Sequence, residues 1–155
     1  MNLYDNMKRR VLLILILVAT ISGLQSQPIV ITSLGREQGL SNNYVVSITR
    51  DKDGFLWFAT EEGLNKFDGT RFISYYKHTG NISGNELNHI YADPVEPVIW
   101  IGTQPAGLNA YIYDLKTLEV YTHDPDLSSS LITNDITAIA PAANGNLWIS
   151  TYHRG

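Results

Sequence analysis

Apolar and polar residues alternate in the same order three times along this chain, and each copy predicts the same short strands. In the first copy Tyr44, Val46 and Ile48 alternate with the residues between them, which is the period-two pattern of a β-strand. The apolar run 55–59 follows after a turn and is typical of a strand covered on both faces. Two further strands, 64–67 and 72–76, complete a predicted unit of four strands.

The second and third copies repeat this order with local changes. Strands are predicted at 89–92, 98–102, 108–113 and 118–122 in the second copy, and at 136–140 and 147–151 in the third. Asp51–Gly54 and Asp68-Gly69 are tight-turn signals in the first copy. Pro94 and Pro97 bound the corresponding turn of the second copy. No long helix is expected after the first 26 residues.

A tryptophan opens the same four-residue phrase in each copy. The phrases are Trp57–Thr60, Trp100–Thr103 and Trp148–Thr151, and their tryptophans are spaced by 43 and 48 residues. A period of this length is typical of a four-stranded β-propeller blade, and repeats usually stack as copies of one unit. The sequence therefore predicts an all-β fold, an incomplete β-propeller of about two and a half four-stranded blades.

The predicted domain organisation follows from these copies. Blade 1 spans 39–80, blade 2 spans 81–125, and a partial, truncated blade 3 spans 126–155. Residues 27–38 contain an apolar leading strand at 29–34, which is expected to close the last blade by pairing with strands outside this chain. The third copy stops seven residues after Trp148, so we expect the chain to be the amino-terminal part of a larger propeller.

The first 26 residues resemble a targeting segment rather than part of the fold. Lys8, Arg9 and Arg10 precede an apolar run from Val11 to Val18, which is the order of a secretory signal peptide. Cleavage near Ser26 and retention as an amino-terminal anchor are both open interpretations. Either one predicts export of the rest of the chain.

Charge and composition exclude several classes of partner. The chain has a net charge of −4, which becomes −6 when the targeting segment is left out, and no basic cluster follows that segment. We therefore expect no nucleic-acid partner. The chain contains no cysteine, so a disulfide framework is excluded.

No catalytic, metal or cofactor site is predicted. The four histidines show no metal-ligand spacing, and Asp51–Gly54 lacks the oxygen ligand and glycine that a calcium loop needs at its fifth and sixth positions. The loops 75–78 and 121–124 are interpreted as connectors, and no ligand-binding residue is nominated. Any ligand is expected on segments that differ between the copies.

Residues repeated at the same place in each copy are expected to have structural roles. The tryptophans are interpreted as packing residues of the blades, and the threonines as hydrogen-bonding residues that tie strands or blades together. The residues in this set are Trp57, Thr60, Gly63, Trp100, Thr103, Gly107, Trp148, Thr151 and Gly155.

The repeat resembles the two-component regulator propeller family over residues 29–155. The first copy departs from the family pattern at Ala59, the second at Pro97 and the third at Ser150, all at small-residue or turn positions. The residues of the first copy that fit the pattern are Gly39, Leu40, Ser41, Asn43, Val45, Ile48, Asp51, Gly54, Leu56, Trp57, Thr60, Gly63, Leu64 and Asn65.

The resemblance implies the periplasmic sensor half of a hybrid two-component histidine kinase of the Bacteroidetes type. Such a sensor would bind an oligosaccharide and act through the remaining propeller blades and kinase of the same inner-membrane protein, with a homodimer as a further candidate assembly. This part would be non-catalytic and would need no cofactor. Two alternatives remain open: an exported propeller enzyme acting on polysaccharide, and a propeller scaffold that binds another protein.

Overall fold

The computed structural model describes residues 4, 6–13 and 29–152 and divides the chain into two compact units, Met1–Ser33 and Leu34–Gly155. In the first unit, residues 6–13 are helical. Among the described residues, no helix has both the length and the apolar character that a bilayer crossing requires. The predicted cleavage near Ser26 lies outside the described residues.

The second unit consists of three antiparallel sheets whose strands follow one another in chain order. Sheet 1 and sheet 2 have four strands each, and sheet 3 has two. The strands are β1 (Val45–Arg50), β2 (Leu56–Thr60), β3 (Gly63–Phe67) and β4 (Phe72–Tyr75) in sheet 1; β5 (Leu87–Ala92), β6 (Val98–Thr103), β7 (Leu108–Ile112) and β8 (Thr117–Tyr121) in sheet 2; and β9 (Ile136–Pro141) and β10 (Leu147–Thr151) in sheet 3. The prediction of all-β, four-stranded sheets is confirmed.

The first strands of the three sheets lie side by side. The backbone N–H of Ile90 in β5 donates to Ser47 Oγ in β1 at 3.2 Å, and the N–H of Ala92 donates to Thr49 Oγ1 at 3.3 Å. On the other side of β5, Asn88 Nδ2 donates to the carbonyl of Ile136 in β9 at 2.9 Å. The sheets therefore succeed one another around their innermost strands, as the blades of a propeller do.

Each innermost strand carries a β-bulge at the same place. The pairing of β1 with β2 skips Val46, the pairing of β5 with β6 skips Asn88, and the pairing of β9 with β10 skips Thr137. A bulge leaves one residue out of the ladder and turns its side chain in a new direction. The side chains of these three skipped residues therefore lie near the beginning of β1, β5 and β9, outside the regular alternation of the strand.

The main core lies between sheets 1 and 2. Trp57 of β2 is fully buried there, and burial of such a side chain stabilises a fold by about 1.5–3 kcal/mol. Its ring lies 5.5 Å from Tyr75 of its own sheet and 6.2 Å from Tyr111 of sheet 2, measured between centroids. Tyr113 approaches it at 5.8 Å and donates a hydrogen bond to Asp53 at 3.0 Å. Aromatic packing and this bond join the two sheets.

The contact between sheets 2 and 3 is less complete. Trp100 and Leu108 of sheet 2 pack with Leu147 and Ile149 of sheet 3, and the same residues line a cavity of about 660 Å³. From sheet 2, Trp57 is covered by Tyr111 of the third strand and by Tyr113, which follows the end of that strand. Sheet 3 has no third strand among the described residues, so the corresponding space beside Trp100 is open.

The predicted leading strand is absent from this structure. Residues 29–35 form neither helix nor strand, and a short 3₁₀ helix follows at Arg36–Gln38. Ile29, Val30 and Ile31 are 90%, 82% and 87% exposed. A strand needs a neighbouring strand to pair with its backbone N–H and C=O groups. The pairing of this segment with a last blade stays a prediction. The predicted blade boundaries stay predictions as well.

Candidate functional site

One edge of the three sheets gathers the connectors between sheets and the loops that follow β2 and β6. Because neighbouring strands are antiparallel, the beginning of β1 lies beside the end of β2, with Val45 opposite Thr60. The same pairing joins Leu87 to Thr103 and Ile136 to Thr151. We call this side of the molecule the connector edge. Propeller loops at such an edge are positioned by a rigid scaffold, which is where binding residues usually occur.

A groove of about 620 Å³ opens at the connector edge between sheets 1 and 2. Its volume falls within the roughly 300–1,000 Å³ typical of small-molecule sites. Leu87 and Val46 form its apolar part, and Tyr44 is 61% exposed. The polar residues that line this connector groove are Asn42, Tyr44, Glu61, Glu62, Glu86, Asn88 and Gln104.

A second hollow of about 290 Å³ adjoins the connector groove, because Asn88 and Gln104 line both. Asp135, Thr137 and Tyr152 complete its lining. The Oδ1 atom of Asp135 is buried and, within the described residues, accepts no hydrogen bond. A buried carboxylate oxygen without a donor is costly unless a donor is supplied from outside the described residues.

The linings of both hollows come from three positions of the repeat. The first position directly follows a repeated Asn, the second is the bulge residue, and the third directly follows the repeated Thr. These variable positions, as we call them, carry different residues in each copy. They are Tyr44, Glu86 and Asp135 at the first position, Val46, Asn88 and Thr137 at the second, and Glu61, Gln104 and Tyr152 at the third.

Constant residues hold the connectors that carry these side chains. The side-chain oxygen of Asn43 accepts a hydrogen bond from the backbone N–H of Arg36 at 2.9 Å. Asn85 does the same for Lys77 at 2.8 Å, and Asn134 does so for His123 at 2.6 Å. The residue that follows each Asn is therefore fixed at the start of its innermost strand.

A second constant contact joins the third strand to the connector in sheets 1 and 2. Asn65 in β3 accepts from the backbone N–H of Ser41 at 2.9 Å and donates to its Oγ at 2.7 Å. Asn109 in β7 makes the same two bonds to Ser83, both at 2.7 Å. Asn65 and Asn109 are fully buried. In the third copy Ile132 stands where these serines stand, so the bond to a serine hydroxyl cannot form there.

Carboxylates dominate the electrostatics of the two hollows. Glu61, Glu62 and Glu86 are exposed residues of the connector groove, and Asp135 lines the adjoining hollow. No Lys, Arg or His is among the described residues that line either one. The guanidinium of Arg36 lies 3.7 Å from Glu62, but both side chains are more than half exposed, so the pair is screened by water.

The structure places the repeated tryptophans at equivalent positions with different burial. Trp57 is fully buried, Trp100 is half-buried, and Trp148 is 72% exposed. Each indole faces the following sheet: sheet 2 covers Trp57, sheet 3 partly covers Trp100, and no described strand follows β10. The packing role predicted for Trp148 stays a prediction.

The repeated threonines and glycines close the loops after the tryptophan strands. Thr60 Oγ1 donates to the carbonyl of Gly63 at 2.9 Å, and Thr103 Oγ1 donates to that of Gly107 at 2.7 Å. A Cβ at Gly63 would lie 2.7 Å from the carbonyl oxygen of Tyr75. Thr151 ends β10, and Gly155 lies outside the described residues.

The turn Asp51–Gly54 is a hairpin, as its sequence predicts. The backbone N–H of Gly54 donates to the carbonyl of Asp51 at 3.1 Å. The buried Asp51 carboxylate accepts from the N–H of Phe55 at 2.9 Å and from Trp57 Nε1 at 2.7 Å. Within the part of the chain that the structure describes, no three His, Cys, Asp or Glu side chains are grouped as metal ligands.

The connector-edge residues were not identified from the sequence. Of the loops considered there, 75–78 supplies packing and a turn, since Tyr75 stacks on Trp57 and Lys77–Thr79 forms a 3₁₀ helix. Residues of 121–124 line the cavity between sheets 2 and 3. Comparison of the copies shows that the variable positions differ, but strand positions such as Ser47, His89 and Ala138 differ as well, so the sequence alone does not single them out. Their convergence in space depends on the sheet pairing.

Comparison with known proteins finds one matching family model and a similar histidine kinase. The model of the family described as two component regulator propeller matches residues 39–62 and 130–153. A 51-residue stretch is 45% identical to Histidine kinase P4 of Formosa agariphila, covering 33% of this chain and 4% of that protein.

Two solved structures resemble the chain over most of its length. The extracellular domain of the hybrid two component system BT3049 from B. thetaiotaomicron is 61% identical, with a TM-score of 0.75 and coverage of 83% of this chain and 18% of that one. The extracellular domain of the hybrid two component system BT4673 from the same organism is 30% identical, with a TM-score of 0.60. The match covers 81% of this chain and 18% of that one. The chain thus spans less than a fifth of these structures.

Proposed function

We propose that this chain is part of the ligand-sensing propeller of a two-component sensor, and that it binds an oligosaccharide without transforming it. The observation that carries the proposal is the 61% identity, over 83% of the chain, to the extracellular domain of a hybrid two component system. Export to the periplasm through the segment 1–26, and an inner-membrane location of the longer protein, belong to the same proposal.

The chemistry of the connector groove supports binding of a polyhydroxylated ligand. The amides of Asn88 and Gln104 offer both donors and acceptors, and the carboxylates of the groove offer acceptors for hydroxyl groups. The exposed ring of Tyr44 offers a flat apolar face against which a sugar ring can stack. A few directed polar groups beside an apolar surface are the usual composition of a binding pocket.

Binding without catalysis is supported by the exposure of the carboxylates. Glycoside hydrolysis uses one carboxyl group as an acid held in an apolar pocket and a second one across the scissile bond. Glu61, Glu62 and Glu86 are all exposed to solvent in the connector groove. The remaining propeller blades and the kinase of the same protein are the proposed partners through which binding would act, and a homodimer is one assembly in which it would do so.

Calorimetry and saccharide analysis on the purified full-length protein test this proposal. We expect at least one oligosaccharide from an array of neutral, amine-bearing, uronate and sulfated tetrasaccharides to bind. At a concentration of 100 times Kd it would stabilise the folded state by about 2.7 kcal/mol. Chromatography should recover that saccharide at its original length. Absence of any binder, or shortening of the bound saccharide, would refute the proposal.

A further inference from the structure

We infer that the variable positions at the connector edge form the specificity-determining surface of the sensor, and that they select saccharides without carboxylate or sulfate groups. This inference rests on the proposed function and names the ligand class of the site. Three observations carry it: the clustering of the variable positions, the bulges that aim one of them, and the charge of the lining.

The clustering shows that the side chains open to a ligand differ from the buried asparagines that hold the connectors. All nine residues at the variable positions line the two adjoining hollows, whereas the buried residues Asn65 and Asn109 are the same in both complete copies. Connecting segments that a rigid scaffold positions are variable and often carry the binding residues. A ligand in the hollows would contact side chains from all three sheets, which gives each copy a different part in recognition.

The bulges supply a structural reason for the second variable position. Val46, Asn88 and Thr137 are each skipped by the ladder of their sheet. Bulges are frequent next to functional sites because they redirect one side chain without ending the strand. Asn88 shows the result: its side chain reaches β9 and lines both hollows.

The charge of the lining determines the ligand class. Glu61, Glu62, Glu86 and Asp135 contribute four carboxylates, and the described lining residues include no cationic side chain. An anionic saccharide would meet like charge on both sides, whereas neutral hydroxyl groups would donate to these carboxylates. The buried Asp135 Oδ1 lacks a donor within the described residues, and a ligand hydroxyl would supply one.

Matched saccharides and groove variants of the full-length protein test the inference. The probes are neutral and uronate tetrasaccharides of gluco, galacto and manno configuration, which differ only in oxidation at C6. Calorimetry should show at least about tenfold tighter binding of a neutral member than of its uronate partner. The triple variant Glu61→Gln, Glu62→Gln, Glu86→Gln should lose most of that discrimination, and Tyr44→Ala should weaken neutral binding about tenfold.

Glu96→Gln is the matched control, because Glu96 is an exposed residue in the β5–β6 turn at the opposite end of sheet 2. It should bind as the unaltered protein does, and all variants should keep their unfolding midpoint. Tighter binding of uronates would overturn the ligand class. Unchanged binding by Tyr44→Ala and the triple variant would overturn the site, while the sensing function would stand. If no saccharide binds at all, the proposed function fails and the inference with it.

Discussion

The residues of each copy fall into two groups with different physical roles. Asn65 and Asn109, which hold a connector against the third strand, and Gly63 and Gly107, which allow close approach of the outer strand, occupy the same positions in sheets 1 and 2. In sheets 2 and 3 the backbone N–H at the third variable position donates to the carbonyl at the first, at 3.0 Å and 2.9 Å. The side chains at these positions, by contrast, differ from copy to copy.

Gly107 is the position where replacement by alanine should cost most among the loop glycines. Its φ is 86°, and an added Cβ would collide with the carbonyl oxygen of Tyr121. We expect Gly107→Ala to lower the free energy of unfolding by at least about 3 kcal/mol, measured by urea denaturation, because backbone strain and a clash add.

Gly54→Ala separates the two causes. Gly54 has a similar φ of 94°, but no atom lies within 4 Å of its added Cβ. Strain alone should then cost about 1 kcal/mol. Equal losses in the two variants would show that the approach to Tyr121 has no energetic weight.

At the scale of elements, the contact between sheets 1 and 2 is an aromatic interface. Tyr75 of β4 lies between Trp57 and Tyr111, with centroid distances of 5.5 Å and 5.4 Å. Burial, reinforced by the neighbouring phenol of Tyr111, raises the pKa of Tyr75 to about 12. The protonated phenol is therefore favoured in the folded state over the unfolded chain.

This pKa shift makes the stability of the interface depend on alkaline pH. The folded state binds more protons than the unfolded chain between pH 10 and pH 12, so the contribution of Tyr75 is complete below about pH 10 and is lost as pH rises towards 12. We expect Tyr75→Phe to reduce the fall in unfolding free energy across that window. At pH 7 the two proteins should agree within about 1 kcal/mol, because the ring packing is kept. Parallel pH profiles would contradict this assignment.

At the scale of the whole molecule, the segment 29–34 is the part whose structure depends on the rest of the protein. Its apolar residues Ile29–Ile31 are more than 80% exposed here, and β-branched residues of this kind favour strands. We propose that in a protein of the length of its relatives this segment pairs with the last blade and so closes the ring of sheets.

Hydrogen exchange on the full-length protein tests that closure. The amides of residues 29–34 should exchange slowly, as those of paired strands do. Val30→Pro, which removes an N–H donor, should lower the unfolding temperature of the full-length protein. Exchange as fast as that of an unstructured chain, with no effect of the proline, would show that the segment stays unpaired.

The sequence by itself determined the secondary structure, because strand alternation, turn residues and the tryptophan period are local signals. Strands such as 136–140 and 147–151 were located to within a residue of β9 and β10. The resemblance to the two component regulator propeller family rests on the same repeat. The segment 29–34 forms no strand here, and its pairing with a last blade stays a prediction, since a strand needs a partner that local pattern does not supply.

Only the tertiary structure decided which residues face a ligand and how far each tryptophan is covered. Trp57, Trp100 and Trp148 occupy equivalent positions of the repeat, yet their burial depends on the sheet that follows. Tyr44, Glu61 and Asn88 are far apart along the chain, and antiparallel pairing together with a bulge brings them to one groove. Such convergence depends on long-range register, which no local pattern encodes.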